Sequence, residues 1–381
     1  MKKIVIAPDS FKESFSAMEA ATAIEKGFKE VFPEADYIKI PMADGGEGTV
    51  ESLAEALRGE LRHVTVTGPL GTPVEAVYAL SKEEGVAVIE MASASGLHHV
   101  PLDQRNPLIT TTYGTGELIA DALKEGAKRI ILGLGGSSTN DGGAGMAQAL
   151  GIRLLDSNGQ DLEYGGGSLH TLATIKTERL HPLLSAASIE VASDVDNPLL
   201  GENGATAIYG PQKGATTPEI REKLERGLTH YAAVVERQLG IDICHTPGAG
   251  AAGGLGAGLL AFLNPRLASG ITLVLELTDF ETKVKGADLV ITGEGRLDHQ
   301  SIFGKTPIGV AKAAKKTGVP VIAVAGQLGK EYQVIFKHGI DAAYSLVPGA
   351  VPLEDAMTNG LVYLEELARN IAVTWKLGNK E

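Results

Sequence analysis

Residues 133–143 combine glycines with hydroxyl, amide and carboxyl side chains in one short run. A short run at 129–132, Arg-Ile-Ile-Leu, precedes them, and small helix-forming residues at 144–150 follow, so the order predicts strand, turn and helix. Glycines let backbone N–H groups approach an anion, and the start of a helix adds positive potential. The run is therefore a candidate phosphate-binding loop. The alternative is a tight turn whose polar side chains cap the following helix.

A second polar run follows residues 189–192, Ile-Glu-Val-Ala, which read as a buried strand. It contains Asp194, Asp196 and Asn197. Such hard oxygen donors suit Mg²⁺ held jointly with phosphate oxygens, and a carboxylate at this place can also accept a hydroxyl proton. The alternative is a turn closed by hydrogen bonds from the aspartate and asparagine side chains.

Polar segments also follow three other predicted strands, at residues 9–12, 44–47 and 293–298, and the last two of these contain glycines. In an open α/β sheet, ligands bind outside the carboxyl ends of the strands, so these segments are expected to contribute to a site. Near them, residues 304–306 read Gly-Lys-Thr, as at the end of a P-loop. A complete P-loop motif would need glycine at the position of His299, so Lys305 lies either at a phosphate or in a turn that caps a helix.

The spacing of apolar residues predicts the elements that must position these segments. Strands and helices alternate at the start of the chain, an antiparallel stretch begins near residue 61, and the alternation returns from about 271. The two outer parts together make five strand–helix steps. The predicted fold is therefore α/β, with a flavodoxin-like doubly wound parallel sheet built from residues 1–62 and 271–381. Residues 63–270 form a large inserted mixed α/β domain that carries the glycine-rich loop.

Several individual elements can be stated from the same pattern. Ser16 is expected to cap a helix, and residues 218–239 form a long helix. A glycine- and alanine-rich helix is expected over about 250–263, and a closing helix over 353–376. The strand at 287–291 is expected to end before the polar segment 293–298.

Composition limits the class of protein. The chain has 381 residues, 34 basic and 47 acidic side chains and a net charge of −13, which argues against a nucleic-acid surface. Its single cysteine, Cys244, excludes an internal disulfide and fits a cytoplasmic location. No signal peptide and no membrane span are predicted.

Five motifs in register resemble the bacterial glycerate kinase family, type I. They lie at 8–12, 43–49, 135–143, 193–198 and 293–298. The resemblance implies ATP- and Mg²⁺-dependent phosphorylation of D-glycerate, usually giving 2-phosphoglycerate rather than 3-phosphoglycerate. It also implies a flavodoxin-like domain and an inserted domain whose core resembles restriction endonucleases. Ser138 and His299 depart from the residues expected in many members.

The residue types and the resemblance together assign candidate roles. Catalytic roles are expected for Asp194, Lys12 and Asp44. Residues expected at phosphate or nucleotide are Gly135, Gly136, Ser137, Ser138, Thr139, Asn140, Asp141 and Lys305. Residues expected at the substrate are Asp9, Ser10, Glu47, Arg296 and Asp298. Residues expected at the metal are Asp194, Asn197 and Glu294.

The expected reaction takes place in a cleft between two domains, with glycerate and ATP as small-molecule partners. An alternative from a different class is a non-catalytic two-domain protein that senses hydroxy acids. It explains two domains but leaves the phosphate loop and the paired carboxylates without a role. A hydroxy-acid dehydrogenase has less support, because no G-x-G-x-x-G motif follows the first strand.

Overall fold

A computed structural model describes residues 2–43 and 48–378 of the chain. Asp44 and Glu47, two of the expected site residues, lie outside the described residues. Contacts divide the described chain into two compact units. The first unit comprises residues 2–43, 51–58 and 269–378, and the second comprises residues 48–50 and 59–268. These divisions fall a few residues before the predicted boundaries near 62 and 270, and the assignment of separate domains stays a prediction.

Within the described residues the chain forms thirteen strands. In chain order they are β1 (Lys3–Pro8), β2 (Asp36–Lys39), β3 (Glu60–Thr67), β4 (Pro73–Ser81), β5 (Val86–Glu90), β6 (Arg129–Gly133), β7 (Arg153–Leu155), β8 (Thr174–Lys176), β9 (Ser188–Ala192), β10 (Arg266–Ala268), β11 (Leu289–Leu297), β12 (Val321–Leu328) and β13 (Ala342–Ser345).

The same part of the chain forms thirteen α-helices, besides short 3₁₀ turns. They are α1 (Ala17–Lys29), α2 (Thr49–Ala56), α3 (Ala92–Ser95), α4 (Tyr113–Lys124), α5 (Ala144–Ala149), α6 (Ala205–Tyr209), α7 (Pro218–Leu239), α8 (Ala251–Leu263), α9 (Gly270–Leu277), α10 (Phe280–Val284), α11 (Thr306–Lys315), α12 (Leu353–Thr358) and α13 (Gly360–Gly378). None of these described helices is long and apolar enough to cross a membrane.

The first unit contains a five-stranded parallel sheet in the order β13-β12-β11-β1-β2. Renumbered along this unit, the order is 2-1-3-4-5, the order of flavodoxin-like sheets. Ile4 and Ile6 of β1 pack in a core with α1 and α13. Val5, also fully buried, alternates to the other face, where α11 contacts β1 and β11. Helices therefore cover both faces, as the apolar strands require.

Strand β11 is longer than the sequence predicts. We expected it to end at residue 291, but it continues to Leu297, and Glu294 and Arg296 pair with Ala325 and Gln327 of β12. Glycine weakens a strand, so the Gly-Glu-Gly run reads as a loop in the sequence. In the fold, the sheet leaves no room for a side chain at residue 293. A Cβ there would lie 2.3 Å from a carbonyl oxygen of β12.

The second unit contains a six-stranded mixed sheet in the order β10-β9-β6-β5-β4-β3. Strands β3 and β4 are antiparallel, as predicted. Strand β5 is antiparallel to β4, and β5, β6, β9 and β10 are parallel. A two-stranded sheet of β7 and β8 lies apart from it. The α/β fold class is thus confirmed, while the likeness of this unit to restriction endonucleases stays a prediction.

Two predicted helices are interrupted. The expected helix 250–263 begins with left-handed backbone at Ala252, Gly253 and Gly254. The cause of this left-handed backbone is a tertiary contact with the glycine-rich loop. A Cβ at Gly253 would lie 1.9 Å from the Thr139 carbonyl oxygen, so the segment packs directly on that loop. The closing helix likewise divides into α12 and α13. By contrast, the capping box of Ser16 with Glu19 and the bounds of α7 agree with the predictions.

We predict that Gly27→Ala destabilises the first unit. Alanine normally stabilises a helix relative to glycine, by about 1 kcal/mol. Here the new methyl group would lie 2.3 Å from the Glu365 carbonyl oxygen of α13, so overpacking should lower the free energy of unfolding by about 1–3 kcal/mol. Urea unfolding measures this. The neighbouring exposed change Lys26→Ala is the control, expected within about 0.5 kcal/mol of the parent. If Gly27→Ala is as stable as Lys26→Ala, the close packing of Gly27 against α13 is contradicted.

Candidate active site

A pocket of about 1060 Å³ lies in the first unit, where β1, β11 and β12 end. Parallel strands place their carboxyl ends at one edge of a sheet, and ligands collect where the strand order reverses, here between β1 and β11. The pocket brings together six of the residues that the sequence analysis selected: Asp9, Ser10, Lys12, Glu294, Arg296 and Lys305.

Asp9 is fastened at the end of β1. Its backbone N–H donates to the Gly293 carbonyl oxygen at 2.8 Å. Its carboxylate accepts hydrogen bonds from the Thr306 hydroxyl, at 2.5 Å, and from the Ser10 N–H, at 2.6 Å. Asp9 therefore joins the end of β1 to the middle of β11 and to the start of α11, and it fixes the orientation of Ser10 at the pocket.

Lys12 lies on a short turn held by two aromatic rings. Phe11 and Phe15 are buried and stack with ring centroids 4.5 Å apart, and the Ser14 N–H donates to the Phe11 carbonyl oxygen. Lys12 is exposed and lines the pocket. The buried pair thus anchors the turn and leaves the ammonium group on the ligand side.

The carboxylate of Glu294 is nearly buried at the floor of the same pocket. It accepts a hydrogen bond from the Ser301 hydroxyl at 3.0 Å, and the Lys305 ammonium lies 3.5 Å away. This contact places the Lys305 ammonium beside β11 and in the pocket, while the residue itself stands at the N-cap position of α11.

Asp298 does not line the pocket but orients a residue that does. Its carboxylate lies 3.0 Å from Nε of Arg296 and accepts the Gln300 N–H. Burial by itself would raise the pKa of Asp298. The Gln300 N–H and the positive charges of Lys305 and Arg296 outweigh burial, so its pKa is lowered. Asp298 is therefore ionised and holds the guanidinium group in place.

The glycine-rich loop joins β6 to α5 in the second unit, which confirms the predicted order of strand, loop and helix. Gly135 and Gly136 are exposed, whereas every side chain from 137 to 141 is buried. The Ser138 hydroxyl donates to the Ser95 carbonyl oxygen at 2.9 Å, and the Thr110 hydroxyl donates to the carbonyl oxygen of Ser138. The asparagine amide of residue 140 donates to the Thr206 hydroxyl. These side chains hold the loop in shape.

Asp141 has a structural task, the one described by the alternative interpretation of the loop as a turn that caps the following helix. Its buried carboxylate accepts hydrogen bonds from the N–H and hydroxyl of Thr112, at 2.8 and 2.9 Å, and from the N–H groups of Gly143 and Gly145. Burial raises the pKa of Asp141, and these donors oppose the rise. In the first turn of α5, the Gly145 N–H donates to this carboxylate and the Met146 N–H donates to the Thr112 hydroxyl. The capping of the following helix by loop side chains is thus present, and a contact between this helix start and phosphate stays a prediction.

Lys213 is a residue of this site that the sequence analysis missed. Its side chain is 2% exposed, and its ammonium donates to the Ser137 hydroxyl oxygen at 2.6 Å and to the Thr139 carbonyl oxygen at 2.8 Å. Burial lowers the pKa of Lys213 to about 7, against the attraction of Asp141. No local signal marks it, since the run Pro-Gln-Lys-Gly around it is typical of an exposed turn.

The third polar segment follows β9 in the second unit. Asp194 is exposed, two residues beyond the end of the strand. The Asn197 side chain donates to the Asn203 carbonyl oxygen, and its own oxygen accepts the Tyr209 hydroxyl at 2.8 Å. Ser193 donates its N–H to the Ala268 carbonyl oxygen of β10. Asn197 therefore helps to hold the turn on which Asp194 lies.

The donors of this turn fit Mg²⁺ as a partner of phosphate. Across residues 2–43 and 48–378, no three histidine, cysteine or acidic side chains are grouped to hold a metal. Mg²⁺ does not require such a group of protein ligands, because it usually binds one or two carboxylates and completes its coordination shell with water and substrate phosphates. Asp194 can supply such a carboxylate. Glu294 belongs to the first unit, where Ser301 and Lys305 contact it.

Comparison with known proteins identifies the family. The model of the glycerate kinase family matches residues 4–376. The chain belongs to the glycerate kinase family. It is 58% identical to a glycerate kinase of Bacillus subtilis over 98% of each chain, and 53% identical to glycerate 2-kinase of Escherichia coli over 99% of this chain and 98% of that protein. A crystal structure from Salmonella typhimurium LT2, described as glycerate kinase 2, matches with a TM-score of 0.91 at 54% identity, covering 99% of both chains. The predicted membership in a family of kinases is confirmed.

We predict that Lys213 makes the stability of this family member depend on pH. The pKa of Lys213 is about 7 in the fold against 10.5 for an ordinary lysine. Between these values the unfolded chain binds more protons, so the free energy of unfolding gains a contribution that increases with pH. Lys213→Met lacks this contribution. Urea unfolding at pH 7 and pH 9 should therefore show the parent gaining stability relative to the variant at the higher pH.

The exposed change Lys124→Met in α4 is the matched control for this measurement. Its stability difference from the parent should stay constant between the two pH values. If the curves for the parent and Lys213→Met also run parallel, the pKa of Lys213 is not lowered.

Proposed function

We propose that this chain transfers the γ-phosphoryl group of ATP to the 2-hydroxyl of D-glycerate, giving 2-phosphoglycerate and ADP. Family membership and the relative named glycerate 2-kinase support this activity. The structural observation that carries the proposal is the exposed glycine pair Gly135 and Gly136 on a loop whose neighbouring side chains are turned inward. Such a loop offers backbone N–H groups to phosphate and little else.

The phosphate contact is best placed at these two glycines. In the part of the chain that the structure describes, neither N–H donates a hydrogen bond, while the carbonyl oxygen of Gly136 accepts the N–H of Leu97. The backbone is therefore held from one side and has free donors on the other. The ammonium of Lys213, bonded to Ser137 and Thr139, adds positive charge behind the loop when it is protonated, which is below its pKa of about 7. The predicted contributions of Ser137 to Asp141 are then mainly to the shape and electrostatics of the loop.

Cationic side chains of the first unit are suited to the anionic groups of the reactants. Lys12, Arg296 and Lys305 all line the pocket, and a guanidinium can bind a carboxylate or phosphate through two parallel hydrogen bonds. We infer that they bind the glycerate carboxylate and the transferring phosphoryl group. Ser10, oriented by Asp9, is placed to contact a hydroxyl of the substrate. Asp44 and Glu47 keep their proposed contacts with hydroxyls or metal-bound water.

Asp194 is proposed to act at the chemical step. Phosphoryl transfer depends mainly on positioning and on neutralising charge, and a carboxylate contributes by orienting the attacking hydroxyl and accepting its proton. The same carboxylate can instead hold Mg²⁺, and the metal would then neutralise charge on the phosphate oxygens. The cytoplasm, where ATP is available, is the compartment that this reaction requires.

Two assays test the proposed reaction directly. A coupled assay should show ADP formation that depends on glycerate, and phosphorus NMR of the product should show the signal of 2-phosphoglycerate. Binding of glycerate without consumption of ATP contradicts the proposal and identifies a binding protein. A product signal from 3-phosphoglycerate contradicts the assignment of the 2-hydroxyl.

We predict that Gly135→Val weakens ATP binding without unfolding the protein. A Cβ at Gly135 meets no atom within 4 Å, and its backbone is outside the left-handed region, so the substitution causes no strain. The isopropyl group would fill the space in front of the exposed N–H groups. We expect the KM for ATP to rise about tenfold or more, which corresponds to a loss of about 1.4 kcal/mol.

The melting temperature controls for folding in this experiment, and Gly135→Ala serves as the smaller step. Its effect on the KM for ATP should lie between those of the parent and the valine variant. A valine variant with the parent melting temperature and the parent KM for ATP would show that the loop is only a turn.

We predict that Asp194→Asn lowers kcat by about 10²–10⁴ while leaving the melting temperature unchanged, because Asp194 is exposed. Measuring kcat over a range of Mg²⁺ concentrations separates its two possible tasks. Recovery at high Mg²⁺ indicates a metal ligand, whereas a deficit independent of Mg²⁺ indicates a general base. Turnover near the parent rate at every concentration would exclude both.

A further inference from the structure

The pocket of the first unit is larger than a three-carbon acid needs. Its volume of about 1060 Å³ is just above the roughly 300–1000 Å³ that is typical of pockets for drug-sized ligands and cofactors. Glycerate, with three carbons, would leave most of this space to water. The remaining space must therefore be judged by the chemistry of its walls.

One wall of the pocket is apolar. It is formed by the segment after β13 and by α12, and its apolar side chains are Leu346, Val347, Val351, Leu353 and Met357. Leu353 is 77% exposed, so its side chain is accessible to a ligand in the pocket. We call this surface the apolar wall. A wall of this kind gains free energy by covering a flat apolar ring, and it offers nothing to the polar groups of glycerate.

The apolar wall is joined to the charged end of the pocket. The Ser14 hydroxyl donates to the Met357 carbonyl oxygen at 2.7 Å, which links the wall to the turn that presents Lys12. At the charged end lie Lys12, Arg296 and Lys305, together with the carboxylates of Asp9 and Glu294, which hydroxyl and N–H groups already contact. A ligand that fits has an anionic end and an apolar, aromatic end.

The rim between the two ends carries a side chain able to bind a heterocycle. Gln327, exposed near the end of β12, lines the pocket and offers both a hydrogen-bond donor and an acceptor. A purine edge presents the same combination. Neither a simple carboxylic acid nor an aliphatic chain would use the apolar wall, the amide and the cations together.

We propose that this pocket binds the nucleoside part of the phosphate donor, with the base on the apolar wall and the phosphates toward Lys12, Arg296 and Lys305. The inference rests on the proposed function for the identity of the donor, and it goes further by placing the base in the first unit. Leu353 and Met357 cover the base, Gln327 contacts its edge, and Arg296 and Lys305 meet the phosphates.

The test places a charge on the apolar wall. Leu353→Asp should raise the KM for ATP about tenfold or more, because the base would contact a carboxylate instead of a methyl group. The KM for glycerate and the melting temperature should stay within about twofold and about 2 °C of the parent, since a largely exposed leucine contributes little to the core. Leu102→Asp is the matched control: this leucine is 79% exposed, belongs to the second unit and should leave both KM values unchanged.

A second measurement does not depend on turnover. Saturation-transfer NMR with adenosine, which has no phosphate, should show transfer from the parent protein to the base protons. Leu353→Asp should reduce this transfer, and Leu102→Asp should not. An adenosine signal that is the same in all three proteins overturns the inference.

The outcomes separate this inference from the proposed function. Phosphorylation of glycerate with unchanged KM for ATP in Leu353→Asp overturns the placement of the base and leaves the proposed function standing. A raised KM for glycerate with an unchanged KM for ATP also overturns it, because the apolar wall would then serve the acid. Loss of adenosine transfer in Leu353→Asp, in a protein that does not phosphorylate glycerate, supports the base site and contradicts the proposed reaction.

Discussion

The buried carboxylate of Asp141 is the interaction on which the glycine-rich loop depends. A buried charge is costly unless hydrogen bonds replace its hydration, and here it receives donors from Thr112, Gly143 and Gly145. Thr112 immediately precedes α4, and the two glycines lie at the start of α5. One side chain thus ties two helix starts to the loop after β6, which explains why the loop keeps its form although so much of it is glycine.

Lys213 completes this arrangement from the other side. Its ammonium holds Ser137 and Thr139, and the attraction between Lys213 and Asp141 partly offsets the cost of burying both charges. The polar side chains of the loop are consequently directed inward, toward the fold, and the backbone of Gly135 and Gly136 is what remains outward. A loop organised in this way has its donors in place before any ligand arrives, so little ordering is required on binding.

The first unit likewise has buried side chains that hold the structure and exposed groups that can contact a ligand. Asp9 and Glu294 are close to fully buried and hold Thr306, Ser301 and Lys305, whereas Lys12 and Arg296 are exposed. Glu294 thus positions Lys305, and Asp9 holds Thr306 at the start of α11. This explains how a chain with a net charge of −13 can still present a site for carboxylate and phosphate.

Local and periodic features were predictable from the sequence. The capping box at Ser16, the bounds of α7, the antiparallel pair β3 and β4, and the order of strand, loop and helix around residues 129–149 agree with the structure. Each depends on neighbours a few residues apart or on a repeating apolar pattern. The motifs were also sufficient to identify the family, and the roles of single site residues stay predictions.

Other features were decided only by the tertiary structure. The extension of β11 depends on β12, the left-handed start of α8 depends on the carbonyl oxygen of Thr139, and the place of Lys213 depends on a loop more than seventy residues earlier. The sequence alone determined which residue types were available for phosphate, carboxylate and metal. Which of them face a ligand and which are used inside the fold was decided by burial, because a polar group enclosed by the fold must take its partners from whatever the packed chain brings beside it.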